Sequence, residues 1–175
     1  MRLNSKKDKK SKLRLLLEKD DERILADTED LKEVLNKLRF EGRQHHKKNI
    51  TRAFSALTIL KQRLFTHMEE EEDELFPFLW KRLPRLEPVR HLFLSEHLEF
   101  RNKIKGLFKL LRQFKINGDV VVNGALIHEI YCQGMYLACF VISHIQVENN
   151  KLYEAIDNEL KADEKQKLLN LLVQF

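Results

Sequence analysis

Hydrophobic residues recur every three to four positions along almost the whole chain, with polar residues between them. This spacing is typical of amphipathic α-helices that turn one face toward a core. Four long stretches follow the pattern, over residues 12–39, 47–83, 89–111 and 125–160. A short last helix is predicted from Ala162-Asp163 onward. Its apolar residues Leu168, Leu171, Leu172 and Phe175 are predicted to close one end of the molecule.

Short polar connections separate the four stretches. Gly42 and the polar run 44–48 follow the first, Pro84 ends the second, and the segment 117–124 with its two Asn-Gly pairs precedes the fourth. Short connections place successive helices antiparallel, so the sequence predicts an all-α, antiparallel up-down-up-down four-helix bundle. In this interpretation residues 12–175 form the bundle, and residues 1–11 are a basic, disordered or frayed tail.

Composition agrees with one helical domain. The chain has 175 residues, five Gly and three Pro, and its net charge of +5 lies largely in the N-terminal tail. We interpret that tail as solvated rather than as a nucleic-acid contact.

No apolar run approaches the roughly 20 residues that span a bilayer, and no signal core follows the N-terminus. Cys132 and Cys139 would lie about 10 Å apart on a helix, too far to form a disulfide. A reduced, cytoplasmic protein is predicted.

Two His-x-x-x-Glu pairs interrupt the apolar faces. His67 and Glu71 lie in the second stretch, and His144 and Glu148 lie in the fourth. Residues four apart share one helix face, with their Cβ atoms roughly 6 Å apart. An imidazole and a carboxylate so placed can hold one metal or reach two neighbouring ones, and two such pairs can face each other inside a bundle.

Three histidines are predicted to lie at one height. In an antiparallel hairpin, two residues are level when the turn lies midway between them. The midpoint of His67 and His97 falls at the turn between the second and third helices. The midpoint of His97 and His144 falls in the loop before the fourth helix. With a turn near residue 44, the same rule places Asp21 level with His67, where it interrupts an apolar stripe.

The same rule excludes the other histidines as ligands. His46 lies about 30 Å from His67 along the helix, so His45 and His46 are predicted at the exposed end of the bundle. His128 lies about 24 Å from the site by the same measure. His91 lies near a loop, below the site.

Buried carboxylates are costly unless they are paired or bind a metal. We therefore predict that Glu71 and Glu148 face a metal, whereas Glu69, Glu72 and Asp73 are solvated. A metal-free polar core, in which His and Glu bond one another, is the alternative. Imidazole and carboxylate donors without a thiolate suit Fe, Mn or Zn. The predicted ligands of a two-metal site bridged by the two glutamates are His67, Glu71, His97, His144, Glu148 and Asp21.

Three segments share a recognisable arrangement of these residues, namely THMEEEEDELFP at 66–77, SEHLEF at 95–100 and HIQVENNKLY at 144–153. With them the chain resembles the hemerythrin-like, HHE cation-binding family of four-helix bundles over most of its length. The resemblance implies a non-heme di-iron centre with bridging carboxylates. The ligands that it implies are His67, Glu71, His97, His144 and Glu148.

The first predicted helix, over residues 12–39, departs from the family pattern. The family usually has Asp-His-Arg after a Leu run, whereas LLLEKDDERIL at 15–25 puts Asp21 at the histidine position and keeps Ile24 in register. Either Asp21 substitutes as a carboxylate ligand in a more oxygen-rich site, or one metal is held weakly or with an open position.

Two functions from different classes follow. The first is a di-iron protein that binds or senses oxygen, nitric oxide or redox state, or that handles iron, as the resemblance implies. The second is a metal-poor helical bundle that binds a protein partner, like some anti-sigma regulators, with a degenerate metal site. The sequence has no nucleophile–base pair, phosphate loop or dinucleotide fingerprint, which argues against classical hydrolases and dehydrogenases. Oxidase or peroxidase-like turnover at the metals stays open. Tyr131 and Tyr136 are assigned to the core or the surface.

Overall fold

A computed structural model describes residues 10–116 and 124–173. Within these ranges every regular segment is helical and no strand occurs, which confirms the all-α prediction. Most of the predicted tail, the loop at 117–123 and Phe175 lie outside the described residues.

The helices largely match the predicted stretches. In the described part of the chain they are α1 (Lys12–Phe40), α2 (His46–Glu70), α3 (Phe76–Trp80), α4 (Glu87–Ile116), α5 (Gly124–Val147), α6 (Glu154–Glu159) and α7 (Ala162–Leu172). Single 3₁₀ turns precede α2 and α4, at Arg43–His45 and Pro84–Leu86. Two π-helical segments, Glu71–Leu75 and Glu148–Tyr153, join α2 to α3 and α5 to α6. The sequence pattern had predicted uninterrupted α-helix at both places.

Local chemistry explains the ends of α1. The Ser11 hydroxyl accepts a hydrogen bond from the Arg14 backbone N–H at 3.1 Å, and serine is a favoured residue at this position. The helix ends just before Gly42, whose φ of 85° lies in the left-handed region that favours glycine. These two signals fix the length of the helix that carries Asp21.

The four long helices pack in a closed ring. α1 contacts α2 and α5, and α4 contacts the same two helices. Gly134 of α5 permits a close approach to α1, because a Cβ there would lie 2.4 Å from the Leu35 side chain. The ring places one face of each helix toward a common interior.

Two hydrophobic clusters fill that interior, one on each side of a polar layer. The larger cluster includes Ile24, Leu64, Phe100 and Val141. The smaller cluster includes Leu13, Leu75, Phe93 and Leu152. The buried polar residues that lie between these positions along the chain are Asp21, His67, Glu71, His97, His144 and Glu148. The apolar stripes of all four long helices are thus interrupted at the same height, as the turn-midpoint rule predicts.

The short helix α7 lies against the smaller cluster. Leu168 is fully buried there, and Leu172 packs against it partly buried. Leu171 is 36% exposed, so its predicted place in the closing contact was wrong. The 3.6-residue period of the helix turns Leu171 outward once Leu168 and Leu172 face the core.

The helical run from Gly124 to Glu159 is more apolar than the sequence analysis expected. Its most apolar 18-residue window has a mean hydropathy of 1.4, and among the described residues it alone is long and apolar enough to cross a membrane. The prediction that no such run exists was wrong by this measure. The same run carries the buried polar residues His144 and Glu148.

The two cysteines of this run, Cys132 and Cys139, are both exposed and free. The prediction that they do not bridge each other is confirmed.

Candidate metal centre

Glu71 lies between the imidazoles of two different helices. Its Oε2 is 3.6 Å from Nε2 of His67 on α2 and 3.3 Å from Nε2 of His97 on α4. The i, i+4 spacing supplies the first contact, and the packing of α4 on α2 supplies the second. The carboxylate is therefore placed to reach two metal positions at once.

Glu148 occupies the corresponding place on the opposite side. Its Oε2 lies 3.7 Å from Nε2 of His67 and 3.7 Å from Nε2 of His144. Glu71 and Glu148 are 2% and 0% exposed, respectively. The centre thus has two almost completely buried carboxylates, each beside two histidines.

The donor atoms fall into two groups that could each hold a cation. Glu71, His97 and His144 form one group, and Asp21, His67 and Glu148 form the other. Within each group the donor atoms all lie within 4.8 Å of one another, and every residue is buried. All six sequence-predicted site residues are therefore brought together, Asp21 among them.

Two side chains hold Asp21 in place. The Tyr153 hydroxyl donates to its Oδ1 at 3.1 Å, and the Asn149 amide donates to its Oδ2 at 3.0 Å. Both donors come from the π-helical segment that begins at Glu148. Each carboxylate oxygen has two lone pairs, so both retain one for a cation.

Each histidine of the layer contacts a second carboxylate through its other ring nitrogen. Nδ1 of His67 lies 3.1 Å from Asp20, and Nδ1 of His97 lies 2.7 Å from Glu72. Nδ1 of His144 lies 2.6 Å from Glu96. A carboxylate that accepts a hydrogen bond from Nδ1–H fixes the tautomer in which Nε2 offers its lone pair. This arrangement is general among metal-binding histidines.

The atoms that face the centre have no hydrogen-bond partner. Nine buried side-chain polar atoms of the described residues lack one, and seven of these belong to this layer. They are Nε2 of His67, His97 and His144, together with both carboxylate oxygens of Glu71 and Glu148. Unpaired buried polar groups are rare and costly, so their convergence on one point requires an explanation. Two bound cations, one for each group of donor atoms, would satisfy them.

Burial and crowding shift the pKa values of the acids in this layer. Burial, together with the charge of Glu148, raises the pKa of Asp21 to about 7 and the pKa of Glu71 well above its usual range. Burial alone would also raise the pKa of Glu148, but the proximity of His144, Glu71 and His67 lowers it instead. Without a cation, the layer therefore holds protons on carboxyl groups at neutral pH, and a cation would displace them.

The histidine pKa values diverge for related reasons. Burial, and then the proximity of His144, lower the pKa of His97 to about 4. Burial would likewise lower the pKa of His67, but the charge of Glu71, the hydrogen bond with Asp20 and the proximity of Glu148 raise it well above the ordinary value. His97 is thus neutral and ready to donate its lone pair, whereas His67 must release a proton first.

The residues present fit a divalent cation pair. The donor set is three imidazole nitrogens and three carboxylates, which is a hard-to-borderline set typical of Fe, Mn or Zn. The polar layer lies between two apolar clusters, and the outer carboxylates complete the ligand support. Both π segments start at a glutamate of the layer, and single π turns inside α-helices are frequent at functional sites.

Two sequence predictions about side chains near the centre were wrong. Glu72 was predicted to be solvated, but it is part-buried and contacts both His97 and Arg101, at 2.7 and 2.9 Å. His46 was predicted to be exposed at the bundle end, but it is 8% exposed and lies edge-on to Phe114. Its position at the N-terminus of α2 turns it inward against α4.

The remaining excluded histidines lie away from the centre. His45, His91 and His128 are exposed, and none of them belongs to either group of donor atoms. Sequence reasoning missed the supporting residues Asp20, Glu72, Glu96, Asn149 and Tyr153. Asp20, Glu72, Glu96 and Asn149 each directly follow or precede a predicted ligand, which is the one signal that could have marked them.

Comparison with known proteins agrees with this geometry. A family model described as the hemerythrin HHE cation-binding domain matches residues 14–156, which contain every residue of the polar layer. No curated protein matches the sequence significantly. With a family match over most of its length, the chain belongs to the hemerythrin HHE cation-binding family.

Proposed function

We propose that this protein is an antiparallel four-helix bundle that holds two non-heme iron ions in its polar layer. It uses them to bind or sense oxygen, nitric oxide or redox state, or to handle iron, in the cytoplasm. One observation carries the proposal: seven buried donor atoms without partners converge on one point between the helices. Mn and Zn suit the same donors, so the identity of the metal is part of the proposal.

Each ion would have its own set of residues. Asp21 and His67 would hold one ion, and His97 and His144 would hold the other. Glu71 and Glu148 would bridge them, since each lies within 3.7 Å of histidines from both sets. When bound, iron would supply reversible one-electron chemistry and a coordination position for a small molecule.

The chain's own residues would set the conditions for that chemistry. The apolar clusters exclude bulk water, and the outer carboxylates Asp20, Glu72 and Glu96 orient the imidazoles. Two terminal side chains and two bridging carboxylates would give each ion four protein donors, which leaves room for an additional small ligand because iron commonly accepts more than four. A role in binding or sensing is therefore favoured over hydrolysis.

The alternative is a metal-poor interaction protein of the anti-sigma-like type. The replacement of a family histidine by Asp21 favours it. Two observations oppose it, namely the hydrogen bonds that hold Asp21 and the three outer carboxylates that orient the histidines. In a polar core without metal, the buried Nε2 atoms would stay unpaired, which is costly. If Asp21 bound its ion only weakly, that ion would have an open coordination position and the rest of the site would be kept.

Metal analysis of protein purified without chelator tests the proposal. We expect about two irons per chain, visible absorption from ferric iron, and a fall in melting temperature when a chelator removes the metal. A ligand at a thousandfold excess over its Kd stabilises the folded state by about 4 kcal/mol, so the shift should be large. Absence of bound metal, together with an unchanged melting temperature after chelation, would favour the interaction protein.

The metal-free protein is expected to lose stability between pH 6.5 and 8. The pKa of Asp21 is about 7 in the folded state against 3.8 in the unfolded chain, and that of Glu71 is also raised. Folded protein then binds more protons than unfolded chain, so the free energy of unfolding falls as pH rises, by about 1.4 kcal/mol per pH unit for each proton. The raised pKa of His67 acts in the same direction.

Below pH 6.5, His97 changes the free energy of unfolding in the opposite direction. The lowered pKa of His97 makes the folded state gain stability between about pH 4 and 6.5, where the unfolded imidazole is protonated. Above pH 6.5 that contribution is complete. Thermal unfolding of metal-free protein at pH 6.5, 7.0, 7.5 and 8.0 measures the effect. A melting temperature that rises across this window would contradict the assigned protonation.

A further inference from the structure

A cavity of about 210 Å³ lies between α1, α2 and α7 and reaches the polar layer from one side. Its inner wall includes His67 and Glu71, and its outer wall includes Asp20, Glu70 and Leu172. Among the described residues that line it, none is His97, His144 or Glu148. The cavity therefore leads to the half of the centre that contains His67.

The inner wall carries unpartnered donor atoms. His67 and Glu71 are 4% and 2% exposed, and neither Nε2 of His67 nor either carboxylate oxygen of Glu71 has a hydrogen-bond partner. Atoms that are buried, unpaired and at the end of a cavity are positioned to receive something that arrives through it. The unpaired atoms of His67 and Glu71 on this wall thus require a ligand.

We propose that this cavity is the route by which metal ions enter and leave the centre, with Leu172 of α7 as its restriction. The proposal rests on the proposed metal-binding function, and it assigns to the side chains along the cavity a role in the rate of exchange. The His67 position would be filled through it directly. The position held by His97 and His144 would be filled through the bridging carboxylate of Glu71.

Carboxylates lie along the proposed path. Asp20 and Glu70 are part-buried between the surface and His67, and Glu71 follows. Oxygen donors bind hard divalent cations and can replace the water molecules that such an ion must shed. Lys19 and Arg23 also line the cavity, but both are exposed, so solvent and salt screen their repulsion.

The polar contacts that tie α7 to the rest of the bundle lie in its first turns. Its first turns are held by the Arg82–Glu164 ion pair at 3.2 Å, by the Lys165 ammonium on the Asp157 carbonyl at 2.6 Å, and by the buried Leu168. Leu172 is the last residue of the helix. Fraying of a terminal turn requires little free energy, so the restriction can open without loss of the anchored part.

Variants of Leu172 test the restriction. Iron-loaded protein is mixed with excess 2,2′-bipyridine under reducing, anaerobic conditions, and the coloured complex gives the rate of release. We expect Leu172→Ala to release iron about tenfold faster, and Leu172→Trp to release it more slowly, with the same amount of iron bound at the start. Leu171→Ala, a neighbouring exposed leucine, is the matched control and should behave as the unaltered protein.

The opposite signs of the two Leu172 variants separate a restriction from a general loss of packing. Disruption of α7 would accelerate release in both variants, and that result would overturn the proposal. Equal release rates in all three variants would overturn it as well. Circular dichroism before mixing establishes the helical content of each protein.

Uptake tests the carboxylate path. Metal-free protein is mixed with Fe²⁺, and the bound iron is measured after rapid desalting at successive times. We expect Glu70→Gln to take up iron several-fold more slowly with an unchanged final amount, whereas Glu69→Gln, an exposed neighbour outside the cavity, should not differ from the unaltered protein. Iron that binds fully at an unchanged rate would overturn the route alone. Failure of every protein to bind iron would overturn the proposed function and the route together.

Discussion

Replacement of Glu148 by glutamine is expected to weaken the binding of both metal ions. The carboxylate lies 3.7 Å from Nε2 of both His67 and His144, so it belongs to both halves of the centre. Glutamine has nearly the same volume but offers a single neutral oxygen. Loss of an outer hydrogen-bond partner of a metal ligand already costs 10–100-fold in affinity, so loss of a bridging ligand should cost at least about 100-fold.

The measurement is metal content after dialysis against a series of buffered free-metal concentrations. Glu154→Gln, an exposed glutamate one and a half turns further along, is the matched control and should retain two ions. The folded state should survive Glu148→Gln, because the change removes a buried charge without creating a cavity. Two ions bound at undiminished affinity would show that Glu148 is not a ligand.

The height of the polar layer could be predicted from sequence because the elements are rigid rods. A helix advances by a constant 1.5 Å per residue, so the position of a turn fixes which residues are level. That arithmetic placed His67, His97 and His144 together and added Asp21 from the first hairpin. The structure gathers these side chains in one buried layer. That they bind metal remains a prediction.

The backbone at the two glutamates could not be predicted in the same way. Hydrophobic periodicity reports which face of a helix is buried, and one extra residue within a turn leaves that pattern nearly unchanged. The π segments that begin at Glu71 and Glu148 therefore left no trace in the sequence pattern. They matter to the centre, since the second segment supplies both Asn149 and Tyr153 to Asp21.

The outer carboxylates were missed because their pairing depends on side-chain direction between helices. Glu96 precedes His97 in sequence, yet it contacts His144 of α5 instead. Glu72 follows Glu71 and contacts His97 of α4. Sequence separation gives no indication of which neighbouring helix such a side chain reaches. An acidic run was therefore interpreted as solvated surface, although one of its members orients an imidazole.

Asp21 of α1 stands where the resemblance implies a histidine, and the structure shows how a carboxylate is held there. A carboxylate at position 21 requires hydrogen-bond donors in a buried site, and the Tyr153 hydroxyl and the Asn149 amide provide them. Burial and the nearby carboxylates raise the pKa of Tyr153 well above its ordinary value, so the phenol keeps its proton and donates it. Asp21 is thus held as an acceptor, with a carboxylate oxygen within 4.8 Å of the donor atoms of His67 and Glu148.

Replacement of Asp21 by asparagine is accordingly expected to remove one ion and leave the other. Asparagine keeps an oxygen that can accept a hydrogen bond from Tyr153. It lacks the negative charge with which Asp21 would hold a cation together with His67 and Glu148. The ion held by His97 and His144 retains both imidazoles and both bridging carboxylates. We expect metal content to fall from about two ions per chain to about one, because the affected position loses at least about 100-fold in affinity.

Metal analysis and the free-metal titration of Asp21→Asn measure this outcome, with Asp30→Asn, an exposed aspartate on the same helix, as the matched control. The variant should also flatten the loss of stability of metal-free protein above pH 6.5, since it removes a carboxyl group whose pKa is raised to about 7. Full retention of two ions would exclude α1 from the centre. Loss of both ions would show that the two positions fill only together. In that case the ion held by His97 and His144 would depend on Asp21, which lies in the other group of donor atoms.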